Sequence, residues 1–256
     1  MIDTHVHLNF EDYIDDLETV ILDAEKAGVS HMVVIGIDEG SSRLAIELSK
    51  QYPSLYASVG VHPSESENMF EMQATSTQFI EAMLKDEKVV AIGECGIDLY
   101  HEDYNLEYQQ HVFKEQIELA KTYQKPLIIH SRSGVRACID MLKPYQGHVK
   151  GVFHCFNGTQ EEADEILELG FYIGVNGPIT FKNAKDAKDI AMHVPIERLL
   201  IETDGPYLSP EPYRGRRNQP ANVKYILKTL AQLKHMSEAE VDDITTQNAK
   251  NLFLLP

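Results

Sequence analysis

The sequence predicts an α/β fold of the TIM type: an eight-stranded parallel (β/α)8 barrel with outer helices. Three observations lead there. Eight short apolar runs, near residues 2–6, 31–36, 55–60, 89–93, 126–129, 150–154, 171–175 and 198–202, read as buried strands bounded by turn residues. The intervening segments carry apolar residues at three- and four-residue spacing, so strand alternates with helix along the chain. Histidines and carboxylates recur where five of those runs end, and a barrel gathers its reactive groups at the carboxyl ends of its strands.

Run 2–6 opens the chain as strand 1, with His5 and His7 at its end. Helix is predicted next over 11–27, where Tyr13, Ile14, Leu17, Val20, Ile21 and Ala24 share a face and Gly28 supplies the stop. Further helices are predicted over 39–51, 73–85, 104–123, 133–142, 159–169, 184–192, 220–234 and 237–248. The segment from 159 opens with Thr159 and Glu162, a capping-box pair, and Gly170 ends it. Strands buried on both faces and joined through helices run parallel, with right-handed crossovers. Eight such units in 256 residues suit a closed barrel. A doubly wound open sheet is the runner-up, but it would carry a phosphate-binding glycine loop after strand 1, where HVH stands instead. Without a linker, repeat or low-complexity tract, residues 1–256 read as a single domain.

A hydrophobic fraction of 43% against 25% charged residues allows a large core without disulfides. Cys95, Cys138 and Cys155 are odd in number and lack CxxC spacing, which argues against a disulfide framework or a zinc knuckle. No apolar run reaches membrane-spanning length and no basic leader precedes strand 1, so a cytoplasmic protein without a membrane partner is expected. The net charge of −17 disfavours tight, sequence-independent binding of duplex phosphates. The arginines, however, cluster: Arg132 and Arg136 follow the fifth run, and Arg214, Arg216 and Arg217 follow the eighth. They read either as a local basic rim for an anionic substrate or as surface ion pairs.

Alternation along a strand sends His5 and His7 the same way, and two such imidazoles can share one metal. Glu94 follows VVAIG, where an ionised carboxylate is costly unless paired or metal-bound. His130 follows PLII, His154 follows GVF, and Asp204 follows LLIET. Each alone has an ordinary reading as a satisfied core or turn residue; together they place six ligand-type side chains on one rim. If Glu94 and His154 face inward, Cys95 and Cys155 face the helices, and Cys138 lies within one, which removes thiol chemistry. No GxSxG elbow supports a serine nucleophile. Glu202 should share the inward face of Asp204, either orienting a ligand or pairing with an arginine; Asp98 is open in the same way. His62, Arg132, Tyr213 and Arg214 are candidate substrate contacts, with turn or loop-stiffening roles as alternatives.

The stretches DTHVHL (3–8), GVHP (60–63), IGECGID (92–98), PLIIHSR (126–132), FHCFNG (153–158), GPITFKNA (177–184), LLIETDGPYLSP (199–210) and PYRGRRNQP (212–220) resemble the TatD family of metal-dependent hydrolases, within the amidohydrolase-like barrel superfamily. The resemblance implies a TIM-type barrel, divalent metals and hydrolase activity, with deoxyribonuclease activity among some members. It assigns His5, His7, Glu94 and Asp204 to one metal and Glu94, His130 and His154 to a second, Glu94 bridging. Asn9 and Gly205 depart from the residues many members carry there, and neither departure removes a ligand. Two ions are therefore expected, whose identity among zinc, manganese, nickel, iron and magnesium stays open. The expected reaction is hydrolysis of a phosphodiester at DNA ends or in single-stranded DNA, with Asp204 accepting a proton from the attacking water and Glu94 beside it. The same ligands would serve a small amide, ester or lactone substrate, and a non-catalytic binding protein with a vestigial site is the remaining alternative. No obligate protein partner is expected.

Overall fold

The structure is a computed structural model that describes residues 1–66, 76–100 and 105–256. Among the described residues, eight parallel strands form one sheet in sequential order: β1 (Ile2–Val6), β2 (His31–Val34), β3 (Leu55–Val59), β4 (Val89–Gly96), β5 (Leu127–His130), β6 (Gly151–Phe153), β7 (Tyr172–Val175) and β8 (Leu199–Ile201). The helices between and after them are α1 (Leu17–Lys26), α2 (Glu39–Gln51), α3 (Ser76–Met83), α4 (Leu106–Tyr123), α5 (Val135–Leu142), α6 (Gln160–Glu168), α7 (Lys185–His193), α8 (Val223–Lys234) and α9 (Glu238–Phe253). The predicted TIM-type barrel is what forms.

Two apolar layers hold it. The outer one packs strand residues such as Met32, Val34, Leu127, Ile129 and Phe153 against the helices. The inner one gathers Ile2, Val33, Ile35, Val90, Ile128, Val152 and Leu200, with Leu252 and Phe253 of α9 and the following Leu255 packed on them. That burial extends α9 five residues past the predicted end at 248.

Strict alternation fails in two strands, β1 and β4. Ile2 lies in the inner layer and Val6 in the outer, although an even spacing should keep them on one face. The β1–β2 register shifts between Asp3 and Val6, and this irregularity turns His5 and His7 toward the barrel axis. Val90 and Ile92 differ in the same way in β4, where the pairing with β5 shifts between Ile92 and Cys95. Gly93, at φ +144°, makes this possible: a Cβ there would stand 2.5 Å from the Ile128 carbonyl oxygen. Strand β4 consequently runs through Glu94 to Gly96 rather than ending at 93.

Other boundaries moved for local reasons. Helix predicted from 11 begins at Leu17, because Glu11–Tyr13 forms a 3-10 turn that the Tyr13 hydroxyl ties down by donating to the Asn218 carbonyl (2.7 Å). Pro220–Asn222 is likewise a 3-10 turn ahead of α8. The Thr159–Glu162 capping box forms as expected, with both reciprocal bonds present (3.0 and 3.2 Å). Residues 73–75 and 104 of the predicted helices lie outside the described residues.

The seam between β1 and β8 closes the barrel. Val6 and Gly205 form a parallel bridge, Asp204 N–H donates to the His5 carbonyl (2.9 Å), and His7 N–H donates to that of Gly205 (2.8 Å). Beneath them, fully buried Asp3 accepts from the Thr203 N–H (2.9 Å) and hydroxyl (2.5 Å) and from the His5 N–H (3.3 Å). Burial pushes its carboxyl up to about 7 even though those bonds pull it down. Asp3→Ala should cost about 3 kcal/mol by leaving the Thr203 donors unsatisfied. The melting midpoint should fall by about 6–12 °C. Asp3→Asn, which offers Thr203 both an acceptor and a donor, should recover most of the loss. An unchanged midpoint in Asp3→Ala would show that the backbone bonds alone close the seam.

Candidate metal centre

Strands β1, β4, β5 and β6, with the loop after β8, deliver His5, His7, Glu94, His130, His154 and Asp204 to one point at the carboxyl end of the barrel. Glu94 sits at the middle and is 3% exposed. Its Oε2 lies 3.4 Å from His5 Nε2 and 3.8 Å from His7 Nε2. Its Oε1 lies 2.9 Å from His130 Nδ1 and 3.1 Å from His154 Nε2. The two oxygens of one carboxylate thus face different histidine sets.

On the Oε2 side, Asp204 Oδ1 joins His5 and His7 in a group of three: it stands 3.6 Å from His5 Nε2 and 3.5 Å from His7 Nε2, which are 3.3 Å from each other. A tetrahedron around an ion with bonds of about 2.1 Å has edges of about 3.4 Å. The spacing therefore suits a divalent cation, and the donors are of the right type.

On the Oε1 side each histidine has a carboxylate behind it. His130 Nε2 lies 2.8 Å from Asp98 Oδ2, which leaves Nδ1 turned to Glu94. His154 Nδ1 lies 3.2 Å from Glu202 Oε1, which also accepts from the Cys155 N–H (2.6 Å), and Nε2 is left for Glu94. Such pairs fix the tautomer and raise the basicity of a metal-binding imidazole. Asp98 and Glu202 thus each lie against a histidine, and among the described residues neither pairs with an arginine. His5 and His7 lack this support, since their Nδ1 atoms are buried without a partner.

The centre's charges depend on one another. Burial alone would raise the Glu94 carboxyl, but the imidazoles of His154, His5 and His62 and the His130 bond outweigh it and hold it well below the usual range. Asp204 is held down, against the same desolvation, by the His7 bond and by His154 and His5. Burial opposes charge on His154, yet Glu94 and Glu202 raise it well above its ordinary value. Burial and the stacked His154 ring, 3.8 Å away, lower His5. Carboxylates this buried require positive charge beside them, which protons or a cation can supply.

A family model described as TatD related DNase matches residues 2–254. The chain belongs to the TatD family. It is 42% identical to a metal-dependent hydrolase, YabD, of Bacillus subtilis, over 99% of this chain and 98% of that one. It is 33% identical to the 3'-5' ssDNA/RNA exonuclease TatD of Edwardsiella piscicida over the full length of both. The crystal structure of the TatD homologue YjjV from Escherichia coli superposes with a TM-score of 0.93 at 32% identity, covering 100% of this chain and 98% of that one. The protein is thus a metal-dependent hydrolase on a TIM barrel. No helix among the described residues is long and apolar enough to cross a membrane.

The remaining candidates divide. His62 Nε2 stands 3.7 Å from Glu94 Oε1, and its Nδ1 accepts from the Ser64 N–H (3.1 Å), so the neutral ring carries its proton on Nε2. Burial pushes this imidazole down to about 3, and it faces the centre as a donor. Arg132 lines the cavity with its guanidinium 3.4 Å from the Tyr100 ring centroid, and no carboxylate pairs with it among the described residues.

The expected basic rim does not assemble. Arg136 pairs with Glu165 (2.7 and 2.9 Å) and Arg217 with Asp16 (2.6 and 2.9 Å). Arg214 lies over Phe181 and Tyr213 against Tyr225, and neither lines the cavity. Arg216 is exposed, its main chain bonded to Tyr213 and Ser209. Loop residues between prolines are drawn into packing with α1, α8 and their neighbours, which sequence proximity to strand 8 does not reveal.

Cysteine placement was correct for two residues of three. Cys95 and Cys138 are buried in the outer layer. Cys155 instead lines the cavity, because its backbone at φ +45° leaves the strand before alternation applies. Burial pushes its thiol up to about 12, which leaves it protonated and a poor nucleophile. Sequence reading also passed over Phe10, Tyr207 and Asn176 in the cavity wall. Asn176 follows the β7 run as the ligand-type residues follow theirs, so the same rule applied to amides would have found it.

Asp98→Asn and Glu202→Gln should each weaken divalent-ion binding by about tenfold or more. Calorimetric titration with Mn²⁺ reads this directly. Equal affinities in wild type and both variants would limit these carboxylates to balancing charge.

Proposed function

We propose that the protein is a two-metal nuclease that hydrolyses phosphodiester bonds at the ends of single-stranded DNA. The observation that carries this is the bridging geometry of Glu94, which offers one oxygen to the His5–His7–Asp204 group and the other to His130 and His154. The donor chemistry fits two divalent ions, His5, His7, Glu94 and Asp204 holding one and Glu94, His130 and His154 the other. Bound there, the ions would supply an acidified water and positive charge for the phosphoryl oxygens.

The chain's own residues supply the rest. Asp204 is 9% exposed, with Oδ1 turned to the histidines, so Oδ2 is the atom assigned to take the proton of the attacking water. His62, with its proton on Nε2, donates to a phosphoryl oxygen near Glu94. Arg132, braced on Tyr100, holds a flanking phosphate at the mouth. A body of net charge −17 with Arg132 at the cavity mouth suits a short anionic end better than a long duplex. The exonuclease relative supports the nucleic-acid reading over a carbonyl substrate.

Elemental analysis and activity on a single-stranded oligonucleotide test the proposal together. The wild type should hold about two ions. Glu94→Ala should lose both and His130→Ala chiefly one, while Asp204→Asn, folded by circular dichroism, should lose hydrolysis by about a hundredfold or more. Full occupancy in Glu94→Ala would remove the bridge, and near-normal turnover of metal-loaded Asp204→Asn would remove the proton acceptor.

Arg132→Ala should raise the apparent KM for oligonucleotides and reduce the slope of log affinity against log salt by about one. The double change Arg214→Ala and Arg216→Ala should do neither. Hydrolysis of a neutral ester that outpaces every oligonucleotide would favour the carbonyl chemistry instead.

A further inference from the structure

The cavity over the metal centre, about 690 Å³, has two unlike halves. Histidines and carboxylates make one. Phe156, Val175, Ile179, Ile190 and Leu208 contribute to the other, an apolar wall that neither an ion nor a phosphate requires. Set into that wall, at the carboxyl end of β7, is Asn176.

Asn176 is 4% exposed, and its side-chain amide nitrogen is enclosed without a hydrogen-bond partner. The Cys155 thiol lies beside it but is a weak acceptor. Buried amides are ordinarily satisfied, so one left with no more than a thiol beside it, in a residue that lines a cavity, marks a place where a ligand can complete the bonding. The main chain that carries the amide is held in place. The Ile179 N–H bonds the Asn176 carbonyl (3.1 Å), and the Thr180 hydroxyl bonds that of Gly177 (2.7 Å). Gly177 itself packs so closely on the loop after β8 that a Cβ would fall 1.8 Å from the Leu208 carbonyl oxygen.

We propose that Asn176 is a specificity-determining residue that reads the edge of the terminal nucleobase, whose faces rest on the apolar wall. A carboxamide presents a donor beside an acceptor, and nucleobase edges present the complement. Flat apolar surfaces with one polar reader are the arrangement by which enzymes take a base out of its stack. The position suits this reach. Asn176 adjoins Cys155, whose N–H is held by Glu202, and Glu202 stands 3.2 Å from His154 of the metal centre. The inference rests on the nuclease reading above and adds to it which part of the substrate the apolar half serves.

The test uses metal-loaded protein and single strands that differ only at the 3' nucleotide, natural or abasic (tetrahydrofuran). Wild type should favour the natural terminus in kcat/KM by about tenfold. Asn176→Ala should cut that ratio to about two or three, the remainder coming from the apolar wall, and isosteric Asn176→Asp, which keeps an acceptor but loses the donor, should narrow it. The ratio is taken within one preparation, so partial misfolding or incomplete metal loading cancels, and the aspartate variant serves if the alanine variant does not fold. A wild-type ratio near one, or a tenfold ratio retained in the variants, overturns the base-reading role while the nuclease reading stands. Failure of wild type to cleave any strand overturns both.

Discussion

An ionised carboxylate buried at the top of a barrel is the constraint around which the rest is arranged. Glu94 is nearly sealed from water, and such a group is tolerable only with positive charge or strong donors on both oxygens. No single strand can meet that demand. The barrel does so by bringing imidazoles from β1, β5 and β6 to Glu94 from different sides, and Asp98 and Glu202 hold two of those imidazoles in place. Gly93 and the irregular pairing of β4 exist in the same service, since a regular strand would send the carboxylate elsewhere.

The fold was legible because its signals are local and repeated. Each strand is a short apolar run, and each helix has its own periodicity and, at Thr159, its own cap. The six ligand-type residues were legible for a related reason: strand ends are easy to place, and the barrel makes every carboxyl end a neighbour of the others. What escaped were features decided by pairs distant in sequence. Arg217 reads as a free cation until Asp16 is beside it, some 200 residues away in the chain. The inward turn of His5 and His7 was inferred from alternation, yet it depends on a break in alternation that the letters MIDTHVH do not show. Cys155 was misplaced for the converse reason, a left-handed backbone residue just past the end of β6.

On the proposed nuclease reading, the electrostatics reconcile an acidic protein with an anionic substrate. Of the five arginines that follow strands 5 and 8, Arg136 and Arg217 are committed to carboxylates and Arg214 to an aromatic face. Attraction for phosphate is thereby concentrated at the metal centre and Arg132, with a repulsive body around them. On the nuclease reading proposed above, selectivity for short, accessible ends would follow from where positive charge is missing as much as from where it stands.

The seam between β1 and β8 also gives the molecule a clock. His5 and His7 are made first and Asp204 about 200 residues later, and the Asp3–Thr203 contact that joins their strands spans the same interval. At roughly 5–20 residues per second, an emerging chain carries its paired histidines for about 10–40 s before their acidic partner exists. During that time the two imidazoles lack the carboxylate that faces them in the closed barrel. Completion of the last strand does two things in one step: it closes the cylinder and sets Asp204 beside His5 and His7.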